Sequence, residues 1–222
     1  IGRYEAGIEG SITDLTKART SHTDIIIGTS PKAISQKDAI PYNCVYCSEA
    51  QVLSKEMTPN SNYTSSLMFG IQWDLVCKYL EVKGGLSESD IKEDSSSWGN
   101  YSNVKIENIT SGKYAIMDAN TWELGTWTKI TNAFTKSDSG DNSSALLSTG
   151  ISEYTKKMNI YNFASNEAEW TLEKASNSSN PCAVRGGGYS VSGSNIPASN
   201  RSNGNATNAN DVVGFRLTLY VN

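Results

Sequence analysis

Two rhythms of apolar residues alternate along the chain, one near every second position and one near every third or fourth. The first predicts strands. It runs through "IGRYEAG" at 1–7, "TDIIIGTS" at 23–30 and "NVKIENI" at 103–109, and with fewer matches through "KYAIMD" at 113–118 and "WELGTWTKI" at 122–130. The densest stretch of β-branched and aromatic residues is "VVGFRLTLYV" at 212–221, read as one last strand. The second rhythm predicts two helices. In "SEAQVLSKEM" (48–57), Ser48 is placed to cap, and Ala50, Val52, Leu53 and Met57 recur at helical spacing. After a loop at "TPNSNY" (58–63), "TSSLMFGIQWDLVCKYLEVKGG" (64–85) sets Leu67, Ile71, Leu75 and Tyr79 at intervals of four, until Gly84 and Gly85 stop it. Beyond Gly85, "LSESDIKEDSSSWGNYSN" and "TKSDSGDNSSALLSTG" are crowded with Ser, Asp, Asn and Gly, which implies long surface loops. Two helices among short strands make an α+β chain, read as a single domain over 1–222.

Size and charge narrow the partners. At 222 residues one buried core suffices. A net charge of -4 and a pI near 5.1 lack the basic stripe that phosphate neutralisation requires, so nucleic acid is not expected as a partner. No apolar run approaches the roughly 20 residues of a bilayer span. The best stretch, "SSLMFGIQWDLVCKYL", is broken by Gln72, Asp74 and Lys78, so membrane insertion is not expected either. The sequence opens at Ile1 without Met or signal peptide, and is expected to be a processed form or a domain of something longer.

Candidate chemistry is sparse. "CVYC" (Cys44, Cys47) looks like half of a zinc site, but the other cysteines, Cys77 and Cys182, stand apart and His22 is the single histidine. Separate buried thiols, a disulfide and zinc are the readings left open, in that order. His22, in "RTSHTD", reads as a surface histidine. One histidine leaves Ser-His-Asp and Cys-His constellations without a base. The acidic run "SESDIKED" (Glu88, Asp90, Glu93, Asp94) reads as a solvated face, and nothing pairs Glu167 or Glu169 across a recognisable catalytic site.

Three ordered motifs then stand out near the C-terminus: "NIYNFASNEAEWTLE" (159–173), "CAVRGGGYS" (182–190) and "VVGFRLTLYV" (212–221). Together they resemble the formylglycine-generating enzyme or sulfatase-modifying-factor family, whose pattern is "GLYDMVGNVWEWT", then "RGGSW" or "RGGSY", then "GFR". Ile160, Tyr161, Asn162, Asn166, Glu169, Trp170 and Thr171 match the first block. Arg185, Gly186, Gly187 and Tyr189 match the second, and Gly214, Phe215 and Arg216 the third. "GRYEAG", "IPYNCVYCSEA" and, loosely, "MFGIQWDLVCKYL" extend the likeness forward, while residues 85 to 155 carry it weakly. The resemblance implies a C-type lectin-like fold, with two helices packed on short antiparallel strands and long loops. Trp170, Arg185, Gly186, Gly187, Phe215 and Arg216 are its expected structural residues, and Glu169 and Arg216 are expected to form a partly buried ion pair.

The family's enzymes bind copper through two cysteines that would fall here at Val191 and Ile196, and no cysteine occurs from Ala183 to Asn222. The resemblance therefore implies a non-catalytic member. Calcium is the one metal it keeps open, at Asn166 and Glu169. Between "RGGGY" and "GFRL", 13 of the 22 residues from Ser190 to Asp211 are Ser, Asn or Gly, a composition suited to an adaptable binding surface. Within the lectin-like fold this placement is most like the variable proteins of diversity-generating retroelements, where adenine-specific mutagenesis rewrites asparagine codons up to the last strand. The expectation is a binding region at 185–214 that recognises a protein or glycan on a target cell, displayed outside the cell or on a virion. Its contacts are expected at Tyr189, Ser192, Ser194, Asn195, Asn200, Asn203, Asn205 and Asn208, with Asn210 among the diversifiable asparagines and Trp98 and Tyr101 as outlying aromatics. A fixed adhesion domain is the alternative, and an oxidase is disfavoured.

Overall fold

The computed structural model describes residues 1–57 and 62–222, so most of the loop expected at 58–63 lies outside the described residues. Its central feature is a four-stranded sheet in the order Arg201–Gly204, Cys182–Arg185, Ala168–Lys174, Val213–Phe215. The first three run antiparallel to their neighbours, and the fourth is parallel to Ala168–Lys174, with Trp170 opposite Phe215. Several smaller sheets of two or three short strands surround it, and three helices complete a mixed α+β architecture among the described residues.

The stretch 212–221 is not one strand. It divides at Arg216 into Val213–Phe215, in the central sheet, and Leu217–Val221, which pairs antiparallel with Tyr63–Leu67. The opening of the chain closes against this division: Gly2 N donates to Leu217 O (2.8 Å) and Ala6 N to Phe215 O (2.8 Å), before a two-residue strand at Gly7–Ile8. Arg216 is the pin. Its buried guanidinium donates to Glu169 (2.8 to 3.2 Å), to Gly2 O (3.0 Å) and to Tyr161 O (2.9 Å). The ion pair expected from sequence forms, and it is wholly rather than partly buried.

The first helix, α1 (Cys47–Glu56), starts a residue before the expected cap. Glu49 folds back to accept Tyr46 N (2.8 Å), so the N-terminus is closed by the acidic residue three positions in rather than by Ser48. Ala50 and Leu53 are buried, whereas Val52 faces out. The second, α2 (Gly70–Lys83), buries the opposite face from the one expected. Trp73, Cys77 and Leu80 point inward, while Ile71, Leu75 and Tyr79 are exposed, Ile71 by 68 %. Leu67 belongs to the preceding strand. Both stripes recur at helical spacing, and the bulk of Trp73, stacked on Phe163 at 4.0 Å with its indole N–H on Ala198 O (2.9 Å), decides which one packs.

A third helix, α3 (Glu88–Lys92), lies inside the acidic run, capped by Ser87 and anchored by buried Ile91. The strand expected at 23–30 is absent: Thr29 N and Ser30 N turn back onto Ile26 O, with Gly28 at φ 79°. Ile26 and Ile27 are exposed there, since no neighbouring strand pairs with them. Strands at Ile106–Ile109 and Lys113–Ile116 lie where expected, while "WELGTWTKI" yields only Thr128–Lys129.

Candidate ligand-binding site

The polar segment after "RGGGY" is anchored over its first half. Ser102 N donates to Val191 O (2.9 Å), Ala198 N to Ser95 Oγ (2.9 Å) and Ser199 N to Ile91 O (3.0 Å), so 190–200 is laced onto 91–103. The second half becomes the edge strand Arg201–Gly204 and an exposed turn, in which Asn205 Oδ1 accepts Thr207 N (3.0 Å). Side chains alternate across a strand. That alternation and the register put Ala168, Trp170, Val184, Ser202, Val213 and Phe215 on one face of the sheet, and Glu169, Arg185 and Gly214 on the other.

On the first face the chain leaves a cleft of about 220 Å³. Ala168, Trp170, Val184 and Val213 supply its apolar floor, and Gly186, Gly187 and Gly188 one wall. Asn200, Asn203, Asn208 and Asn210 stand at its rim, with Val191 and Ile196 inside. The glycines make this wall thin. Gly186 has φ 73°, and a Cβ on Gly187 would lie 2.5 Å from Ile196 O and from the Tyr101 ring. A Cβ on Gly188 meets nothing closer than 3.8 Å. Gly204 presses flat on the Trp170 indole, whose N–H is donated to Val45 O (3.0 Å).

Of the contacts nominated from sequence, Asn200, Asn203 and Asn208 line this cleft, joined by Asn210. Ser192, Ser194, Asn195 and Asn205 do not line it, though Ser194, Asn195 and Asn205 are exposed. Tyr189 is not a surface contact: it is fully buried, and burial raises its phenol far above the ordinary range. Trp98 and Tyr101 are core as well, the first donating to Asp90 O (3.1 Å) and the second to Ala164 O (2.9 Å). All three are aromatic side chains with a polar tip, and each goes inward because packing volume outweighs the tip. The structural set fares differently. Trp170, Arg185, Gly186, Gly187, Phe215 and Arg216 are all buried, and Arg185 ties the sheet to α2 through Asp74 and to its own sheet through Glu173 (3.2 Å).

Behind the cleft, on the other side of the strand, lies a buried polar layer. Asn166, at φ 127°, accepts from Asn100 Nδ2 (2.8 Å) and Leu147 N (3.0 Å) and donates to Leu147 O (3.0 Å) and to Glu5. Glu169 spends both oxygens on Arg216. The pair nominated for calcium is thus engaged with other groups of the protein, Asn166 with Asn100, Leu147 and Glu5, and Glu169 with Arg216. Glu5 and Glu167 are buried beside them. Burial pushes the Glu5 carboxyl up to about 8, Arg216 opposing, and raises Glu167 well above its ordinary value, with Glu5 and Asp211 adding to the rise. Sequence reasoning noted Glu167 only as a scattered carboxylate and missed Glu5. Alternation within "NEAEW" would have placed Glu167 and Glu169 on the same inward face.

All four cysteines are free thiols, three buried and Cys182 half-buried. Burial raises Cys44, Cys47 and Cys77 to about 12, which makes them inert as nucleophiles. His22 is half-buried rather than on the surface, stacked on Tyr46 at 3.9 Å with Nε2 against Glu49 (2.9 Å). Asp24 completes the one cluster of three metal-competent side chains among the described residues. Glu49 already accepts Tyr46 N and Ile25 N (3.2 Å), which gives it a capping role. No helix among the described residues is long and apolar enough to cross a membrane. Comparison with protein-family models, with curated proteins and with solved structures returned no match.

Proposed function

We propose that the chain is a single-domain, non-catalytic ligand-binding module of C-type lectin-like fold, and that the sheet-face cleft is its recognition surface. The observation that carries this reading is the division of labour in the cleft: a rigid apolar floor from the central sheet, and a rim of asparagines from the polar segment. Small polar side chains on a fixed scaffold make adaptable hydrogen bonds, while the buried floor supplies area for a ligand's apolar side. The lectin-like assignment draws support from the closure of the opening segment on the last strands, from α1 and α2 packed against the sheets, and from the loops that fill the middle of the chain.

The ligand is a protein or glycan of a target cell surface, met outside the cell or on a virion, with neither nucleic acid nor membrane insertion involved. Oxidase chemistry is disfavoured because Val191 and Ile196, which stand where the resembling enzymes carry copper-binding thiols, are hydrocarbon and face into the cleft. Diversification at Asn200, Asn203, Asn208 and Asn210 would tune the rim without touching the floor. Sequencing the 3′ end of the gene across natural isolates tests this. Substitutions confined to adenine-derived codons of the rim, beside a template copy, are expected. An invariant rim with no template would leave a fixed adhesion domain.

A further inference from the structure

Residues from the stretch 8–42, together with Trp127, line a second cavity of about 290 Å³ that shares no lining residue with the sheet-face cleft. Backbone pairing builds it. Lys17 bridges Thr126, so that Ala18 N donates to Gly125 O (3.0 Å) and Trp127 N to Thr16 O (3.1 Å), while Ile8 N donates to Ile40 O (2.9 Å). Trp127 and Tyr42 thereby become aromatic walls, and Ile8, Ile25 and Ile40 add hydrocarbon surface.

Two polar groups on these walls are unspent. Trp127 is 3 % exposed, and its indole N–H has no acceptor among the described residues, an arrangement that is costly until an acceptor arrives. The Arg19 guanidinium lies 5.2 Å from the centroid of the Tyr42 ring and donates to Cys44 O (3.4 Å), yet among the described residues no carboxylate pairs with it. The other charged groups of the lining are committed. Lys17 pairs with Glu123 (3.1 Å), Asp14 accepts Thr16 N (2.8 Å), and Asp24 lies against His22 Nδ1 (3.6 Å) with its side chain 91 % exposed. What remains is one positive fork and one neutral donor beside an apolar surface, and a carboxylate on a hydrocarbon body matches all three.

We propose that this cavity is a second binding site, for a small monocarboxylate that carries an apolar ring. The ring packs on Ile8, Ile25, Ile40 and Tyr42, and the carboxylate accepts from the Arg19 guanidinium and the Trp127 indole N–H. The volume lies near the lower end of the range of about 300–1,000 Å³ usual for small-molecule sites, so it admits one ring and a short acid arm rather than an extended chain. Charge sets the second limit. A doubly charged phosphate would meet Asp14 and Asp24 with one unpaired cation to balance it, whereas a monoanion leaves one charge matched to one.

Phenylacetate is the probe, titrated into the whole chain by calorimetry, with saturation-transfer NMR to report contact at its ring. A Kd of about 1 mM or tighter is expected. Phenylacetamide, which lacks the charge, and acetate, which lacks the ring, are expected to bind about tenfold more weakly or worse. Arg19→Met should weaken phenylacetate about tenfold, and Trp127→Phe, which keeps a ring in the wall and drops the N–H, about three- to tenfold. Glu107→Gln, an exposed control, should keep the wild-type affinity. A wild-type chain that binds no phenylacetate up to about 10 mM would overturn the proposal. Phenylacetamide bound as well as phenylacetate would overturn the carboxylate, and an affinity unchanged in both Arg19→Met and Trp127→Phe would overturn the place. Should Arg19→Met fail to fold, Trp127→Phe still decides. The two sites have no residue in common, so failure here leaves the sheet-face reading untouched.

Discussion

At single positions the structure separates groups that look alike in sequence. The three glycines of "RGGGY" are one motif on paper, yet Gly187→Ala drives a methyl into Ile196 O and the Tyr101 ring, whereas Gly188→Ala makes only ordinary contacts, at 3.8 Å or more. The first is expected to cost about 1–3 kcal/mol in urea unfolding and the second within about 0.5 kcal/mol. Arg216 makes a second case. Arg216→Met alone leaves Glu169 charged and unpaired in the interior, at a cost of about 3–5 kcal/mol. Adding Glu169→Leu should recover much of that loss, and a double-mutant cycle that gave simple additivity would dismiss the pair as an energetic unit.

Lys136 offers a pH signature. Its Nζ donates to Tyr101 O (2.6 Å) and Val104 O (2.8 Å), but burial lowers its pKa from 10.5 to about 8. Between those values the unfolded chain holds a proton that the native state lacks, so this group's contribution to stability rises with pH from about 8 toward 10.5. The stability of wild type relative to Lys136→Met should therefore increase over that window. The subtraction cancels the buried thiols, which act in the opposite sense above pH 9 because their native pKa values are raised.

Among elements, legibility followed how local the signal was. The Gly84–Gly85 stop of α2 and the strands at 106–109 and 113–116 are governed by neighbours in sequence, and periodicity found them. Two apolar stripes run along α2, and only the stacking on Phe163 and the hydrogen bond to Ala198 O select the one that carries Trp73. Trp73→Ala should cost about 3–5 kcal/mol, while Ile71→Lys and Leu75→Lys should leave the midpoint within about 0.5 kcal/mol of wild type. "TDIIIGTS" has strand composition but no strand beside it, and pairing is what makes a strand. Arg216 splits the last strand for a reason spread over Gly2, Tyr161 and Glu169, which no window of ten residues contains.

In the whole molecule, half of the proposed recognition surface was visible beforehand. Asparagines in a polar tract announce an exposed rim, and Asn200, Asn203 and Asn208 are there. The cleft's floor was not visible, because it is assembled from Ala168, Val184 and Val213, which sit in three strands far apart in sequence. The buried acids were hidden for the same cause, Glu5 meeting Asn162 and Asn166 across more than 150 positions. Replacing Asn203 and Asn208 together by Ser is expected to leave the unfolding midpoint unchanged and to alter ligand selection, whereas Trp170→Ala should destabilise the molecule by about 3–5 kcal/mol. Equal loss of stability from both sets would contradict a display surface.

The clasp between the chain's opening and its last strands has a mechanical side. Gly2 donates its N–H to Leu217 O and accepts the Arg216 guanidinium at its carbonyl, and Ala6 donates to Phe215 O. Tension applied through the two ends is borne first by these bonds together with the ladder that pairs Leu217–Val221 with Tyr63–Leu67, before it reaches the Ala168–Lys174 strand beneath the cleft. If the cleft binds as proposed, a partner seated there keeps its grip under load only until the clasp gives way.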